Sequence, residues 1–156
     1  MAQLIVGDLA PLFELLRDGG GMVQLSALTG RPVALFFYPK DDTSSCTVEA
    51  QDFSMLKPEF EGMGVALFGI SPDPVRKHDR FKKKYQLAVD LLADPDIGTL
   101  QAYGVWGQKS MFGVSYMGVE RTTFLLRPDL RVERIWRKVR VKGHAQEVLD
   151  AARPFS

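Results

Sequence analysis

Val33-Ala34-Leu35-Phe36-Phe37-Tyr38-Pro39-Lys40-Asp41-Asp42-Thr43-Ser44-Ser45-Cys46-Thr47-Val48-Glu49 passes from an unbroken apolar segment, through a polar loop, into residues with helical spacing. Six apolar residues stopped by Pro39 predict a strand buried on both faces. Thr43 or Ser44 suits the N-cap of the helix that follows. Val48, Phe53, Leu56 and Phe60 recur along that helix until Gly62. Cys46, the chain's one cysteine, thus falls in a first helical turn just beyond the C-terminal end of a buried strand.

Working outward, Val65 to Ile70 repeats the buried-strand pattern. Pro72 and Pro74 introduce a helix from Val75 to Tyr85, Leu91-Leu92-Ala93 reads as a short strand, and Asp96 is placed to cap a brief helix through Tyr103. Gly104 to Gly118 is punctuated by glycine and reads as loop. Thr122–Arg127 and Arg131–Arg137 are strands joined at Pro128-Asp129, and Gly143 to Ala152 closes as a helix. Strand–helix alternation followed by a hairpin and a last helix predicts an α/β architecture: a central mixed β-sheet flanked by helices, close to a thioredoxin-like fold.

The 156 residues suit one domain, 1–156, and 46% apolar content supplies a core. Twenty basic against nineteen acidic residues leave a net charge of +1, which gives no whole-molecule reason to bind nucleic acid or a membrane surface. One cysteine excludes an intramolecular disulfide and cysteine-rich zinc sites, and two distant histidines, His78 and His144, argue against a metal centre. The N-terminus lacks the basic and apolar regions of a signal peptide, so the expected location is cytoplasmic.

The first turn of a helix offers unpaired N–H groups and the positive end of the dipole, both of which favour a thiolate over a thiol. A lone cysteine is also commonly a small buried hydrophobe. The neighbours Asp42, Thr43, Ser44, Ser45 and Thr47 predict no apolar pocket around this one.

The spacing Pro39-x-x-x-Thr43-x-x-Cys46 resembles the active-site signature of the peroxiredoxins. The wider string Phe37 to Thr43 is similar to their Q-type branch, the bacterioferritin comigratory proteins. Gly7-Asp8-x-Ala10-Pro11, Tyr103-Gly104-Val105-Trp106, Met111-Phe112-Gly113, Tyr116-Met117-Gly118 and Arg121-Thr122-Thr123-Phe124 resemble further blocks of that branch, in order along most of the chain. The resemblance implies a thiol peroxidase, monomeric and free of cofactors, that reduces hydrogen peroxide and organic hydroperoxides through a sulfenic acid on Cys46. It implies a hydroxyl from Thr43 beside the sulfur, donors from the backbone around Ser45, and a wall from Pro39. Arg121 would hold thiolate and peroxide together, and Glu49, three residues after Cys46 on the same helical face, would orient Arg121.

Ionisation alone does not account for such chemistry. A free thiol of pKa near 8.5 is roughly 3% thiolate at pH 7, so full ionisation gains only about thirtyfold. A donor aimed at charge developing on the peroxide oxygens adds roughly 10²–10³. Taken singly, these residues have plainer readings. Thr43 caps a helix, Pro39 ends a strand and Arg121 is a solvated charge. Trp106, Phe112 and Tyr116 pack core or loop, and Lys82-Lys83-Lys84 form the wet side of a helix. The basic run from Arg131 to Lys142 lies at strand edge and turn, and His78 and His144 lie at the surface or in caps.

Many Q-type members carry a resolving cysteine five residues after the first, where this chain has Gln51. Others carry it in the following helix, where Phe81-Lys82-Lys83-Lys84 has no thiol. Ser44-Ser45 replaces the commoner Pro-Gly. The expectation is a one-cysteine enzyme regenerated by an external thiol: thioredoxin, glutaredoxin or glutathione. The alternatives are a non-turnover peroxide sensor or holdase, and a thioredoxin-like interaction module with an incidental cysteine.

Overall fold

The computed structural model describes residues 3–155; Met1, Ala2 and Ser156, which the expected domain includes, lie outside the described residues. In chain order the strands are β1 (Glu14–Arg17), β2 (Met22–Gln24), β3 (Val33–Phe37), β4 (Ala66–Ser71), β5 (Asp90–Ala93), β6 (Trp106–Met111), β7 (Val114–Val119), β8 (Thr122–Leu126) and β9 (Val132–Trp136). The helices are α1 (Ser44–Gly62), α2 (Val75–Tyr85), α3 (Gly98–Ala102) and α4 (His144–Ala152). Among the described residues, seven strands form one mixed sheet in the order β2-β1-β5-β4-β3-β8-β9.

β3 lies inside that sheet, parallel to β4 and antiparallel to β8, and all five of its residues are buried. Its side chains alternate between two cores. Val33, Leu35 and Phe37 join Phe68, Ile70, Phe124 and Tyr103 on one face. Ala34, Phe36 and Tyr38 join Phe53, Phe60, Phe81 and Val148, from α1, α2 and α4, on the other. The Phe36 ring stacks on Phe53 with centroids 4.4 Å apart and an interplanar angle of 10°. Gly69 of β4 leaves room for this packing, because a Cβ there would lie 2.6 Å from Phe36 Cζ. The predicted α/β sheet flanked by helices is therefore the observed one.

Three local expectations are corrected. Gly104–Gly118 is not loop: β6 and β7 pair antiparallel as a separate arm, turning at Phe112-Gly113, where both residues have positive φ (52° and 78°). Its alternating glycines and polar residues concealed the strand period because most of the arm is solvated on both faces. Phe112, expected to pack, is 98% exposed at that turn, and Tyr116 is exposed as well. The brief helix α3 is tied not by Asp96 but by Asp94, whose carboxylate accepts the Leu100 N–H at 2.8 Å. The N-terminal hairpin of β1 and β2 carried no expectation; it extends the sheet beyond β5 through Leu16 and Arg17.

Candidate active site

Register brings the distant residues together. Phe37, the last residue of β3, pairs with Thr122, the first of β8, so Arg121 stands at the C-terminal end of β3 although it is 75 residues from Cys46. Its carbonyl accepts the Val139 N–H at 3.0 Å, which fixes the backbone there. Cys46 is the third residue of α1, among the N–H groups that have no partner within their own helix.

The Arg121 guanidinium spans two partners. Nη2 donates to Cys46 Sγ at 3.2 Å, and Nη1 donates to Glu49 Oε1 at 2.6 Å. Cys46 and Glu49, at i and i+3 on α1, present their side chains to the same cation. Desolvation acts against the charge on Arg121, but Glu49 and Cys46 outweigh it and raise its pKa. Burial raises the Glu49 pKa to about 7, against the pull of Arg121. The carboxylate is 1% exposed, and its second oxygen, Oε2, has no hydrogen-bond partner among the described residues.

The surroundings of the sulfur differ from the expectation. Cys46 is 2% exposed and lies in one buried cluster with Tyr38, Ala50 and Phe53, because that cluster is built from the residue just past β3 and the following turns of α1 rather than from its polar sequence neighbours. Thr43 occupies the N-cap position, yet its hydroxyl donates to the Lys40 carbonyl at 3.3 Å; it neither accepts a helical N–H nor bonds to the sulfur. Thr43 and Ser45 are exposed and Pro39 is half-buried, so these three stand on the solvent side of the cysteine. Of the expected site residues, Cys46, Arg121 and Glu49 are joined directly; Thr43, Ser45 and Pro39 belong to the loop and first turn that frame them.

A match to the AhpC/TSA family covers residues 6–135. The chain belongs to the AhpC/TSA family. Among its relatives, the putative peroxiredoxin bcp of Coxiella burnetii is 45% identical, over 92% of this chain and 95% of that one. Peroxiredoxin Bcp of Bacillus subtilis is 42% identical over 97% and 96%. Among solved structures, the Xanthomonas campestris bacterioferritin comigratory protein, studied for its alkyl peroxide reduction activity, has a TM-score of 0.86 at 41% identity, covering 91% of this chain and 90% of that one. A cysteine-to-serine variant of Xylella fastidiosa PrxQ reaches 0.90 at 35% identity, over 97% and 96%. These relatives are Q-type peroxiredoxins, as the motif blocks imply.

In this peroxiredoxin a second polar cluster holds the loop before Cys46, and the sequence reading missed it. His78, expected at the surface or in a cap, is fully buried. Its Nε2 faces the Leu92 carbonyl at 2.9 Å, which can only accept, so Nε2 carries a proton. Its Nδ1–H then donates to Asp41 Oδ2 at 2.7 Å, while the Tyr38 hydroxyl donates to Asp41 Oδ1 at 2.6 Å. The Asp41 N–H donates in turn to Asp73 Oδ2 at 2.7 Å, and the Ser71 hydroxyl to the same oxygen at 2.8 Å. Desolvation works against a charged His78, but the Asp41 hydrogen bond and charge prevail and raise its pKa.

The loops after β3 and β4 are thereby tied to each other and to β5. The signal was available in the i, i+3, i+7 stripe His78, Phe81, Tyr85, which marks the inward side of α2. His144 is likewise buried, as the first residue of α4 rather than its cap. Its Nε2 lies 2.8 Å from the Thr123 hydroxyl, and burial lowers its pKa to about 4. Lys82, assigned to the wet side of α2, reaches inward to Asp18 at 2.8 Å and Asp90 at 3.5 Å.

Proposed function

We propose that the chain is a one-cysteine thiol peroxidase acting on hydrogen peroxide and organic hydroperoxides, with Cys46 as nucleophile, Arg121 and Thr43 as groups that touch the substrate, and Glu49 as the residue that positions Arg121. The observation that carries this reading is the single guanidinium bonded to the sulfur at 3.2 Å and anchored at 2.6 Å on a buried carboxylate. A peroxide oxygen arriving at Sγ comes within reach of the same donors, which stabilise charge as the O–O bond breaks. The unpaired N–H groups of the first turn around Ser45 add to that field, and Pro39 limits water on one side.

In the reaction the Cys46 thiolate takes one peroxide oxygen to become a sulfenic acid, and the other leaves, protonated, as alcohol or water. With no second cysteine in the chain, an external thiol must return the sulfur to its starting state. Thioredoxin, glutaredoxin and glutathione are the candidate reductants, available in a cytoplasmic setting. The similarity to Q-type structures supports action as a monomer.

Mass spectrometry after one equivalent of peroxide tests the reading. A single oxygen added at Cys46 and sustained peroxide consumption with a regenerating thiol are expected. One burst without turnover under every reductant would instead favour the peroxide-sensor alternative.

A further inference from the structure

Basic residues gather in two stretches of this chain, Arg131 to Lys142 and α2, and only α2 borders the loop that leads to Cys46. α2 carries Arg76, Lys77, Arg80, Lys82, Lys83 and Lys84 against a single acid, Asp79, in a protein whose net charge is +1. Between α2 and the loop that leads to Cys46 lies a cleft of about 280 Å³, bounded by Lys40, Lys77, Arg80 and Lys84 with the Phe81 ring at its base. Its two acids are already engaged. Asp41 is held by His78 and Tyr38, and Asp42 by Lys84 at 2.8 Å and the Tyr85 hydroxyl at 2.6 Å. Lys77 is 4.0 Å from Asp73, and among the described residues Lys40 Nζ and the Arg80 guanidinium have no partner. The cleft therefore presents two cations, on Lys40 and Arg80, that face no carboxylate of their own, beside Lys77 at the outer limit of its pairing with Asp73.

Its place matters as much as its charge. Asp42 on its wall is joined to Cys46 by one loop residue, Thr43, and the first two residues of α1, which keeps the two Cα atoms within about 13 Å. An extended tripeptide spans roughly 10 Å. The first turn of α1 has no side-chain cap hydrogen bond, and the docking inferred below requires that turn to open so that an oxidised sulfur can reach the cleft.

We propose that this cleft docks the reducing thiol, and that the thiol is a small peptide bearing two carboxylates, of which glutathione is the type. The proposal rests on the peroxidase reading and names the partner of the same site. One carboxylate pairs with Lys77 and Arg80, the other with Lys40. The thiol sulfur bonds to Cys46 Sγ as the sulfenic S–O bond breaks and the oxygen leaves as water. A second thiol then attacks the mixed disulfide, releasing the peptide disulfide and the Cys46 thiol, so two thiols supply the two electrons that the peroxide removed.

The test compares reduction of pre-formed Cys46 sulfenic acid by glutathione and by uncharged 2-mercaptoethanol, in the parent protein and in Lys77→Gln/Arg80→Gln. Taking each thiol's variant-to-parent ratio cancels its intrinsic reactivity. The expected result is a loss of about fivefold with glutathione beyond any loss with 2-mercaptoethanol. The glutathione rate should also fall with added salt while the other does not. Arg76→Gln/Lys83→Gln removes the same charge from the same helix outside the cleft and should retain the parent ratio. Equal losses with both thiols, no loss with either, or an equal loss in the control variant would overturn the proposal. So would a glutathione rate blind to these charges beside a thioredoxin rate that depends on them, which would assign the cleft to a protein partner. Failure of peroxide to produce the sulfenic acid at all would strike the peroxidase reading first and take the proposal with it.

Discussion

Replacing Glu49 by Gln isolates the one buried acid in the Cys46 cluster. Burial raises the Glu49 pKa from 4.5 to about 7 despite the nearby Arg121. In that window the native protein keeps a proton that the unfolded chain has released, so this group subtracts stability as pH rises from 4.5 through 7. At 1.36 kcal/mol per pH unit, the difference between those two values corresponds to about 3 kcal/mol. His144 works in the opposite sense. Burial lowers its pKa from 6.5 to about 4, so the unfolded chain binds a proton that the native state lacks, and stability is gained over nearly the same range by a similar amount, about 3 kcal/mol. In the parent protein the two contributions nearly cancel. In Glu49→Gln only the His144 contribution persists, and the variant should gain about 3 kcal/mol on the parent between roughly pH 4.5 and 7.5. Urea unfolding across that range measures the difference. Stopped-flow oxidation by peroxide gives a second readout: an inflection near pH 7, where Glu49 ionises and competes with the sulfur for Arg121, is expected in the parent and absent from the variant. A parent-to-variant stability difference that stays constant over the whole range would refute the reasoning.

Arg121→Ala should fold, by circular dichroism, while its Cys46 oxidation rate with peroxide falls by roughly 10²-fold, the cost of losing one aimed donor. His78→Asn breaks a fully buried charged pair and should lower stability by about 3 kcal/mol in urea unfolding. Because the His78 pKa is raised, its contribution is complete below about pH 6.5 and is lost as pH climbs through the folded value, so parent and variant should converge at high pH. Gly69→Ala places a Cβ 2.6 Å from the Phe36 ring, and thermal unfolding should report a loss of about 1–3 kcal/mol with the Cys46 oxidation rate little changed.

The sequence by itself determined those features whose cause is local. Val33–Phe37 is a strand buried on both faces because a run of apolar residues leaves no wet side, and Ser44–Gly62 is a helix because its apolar positions recur at the helical period. Cys46 in a first helical turn follows from the same two facts, and its spacing from Pro39 and Thr43, together with the further motif blocks in order along the chain, marked the family. Where the period was masked, as in the solvated β6–β7 arm, or where the strands were very short, as in β1 and β2, the local signal was too weak to read.

Tertiary structure alone decided what surrounds the sulfur. The pairing of Phe37 with Thr122 carries Arg121 to Cys46, and no local pattern encodes a pairing register between segments so far apart. Burial of Cys46, Glu49, His78 and His144 likewise depends on which faces of α1, α2 and α4 meet the sheet. Desolvation is a property of that packing rather than of the residues themselves. It shifts Glu49 and His144 in opposite directions because one is charged when it loses its proton and the other when it gains one.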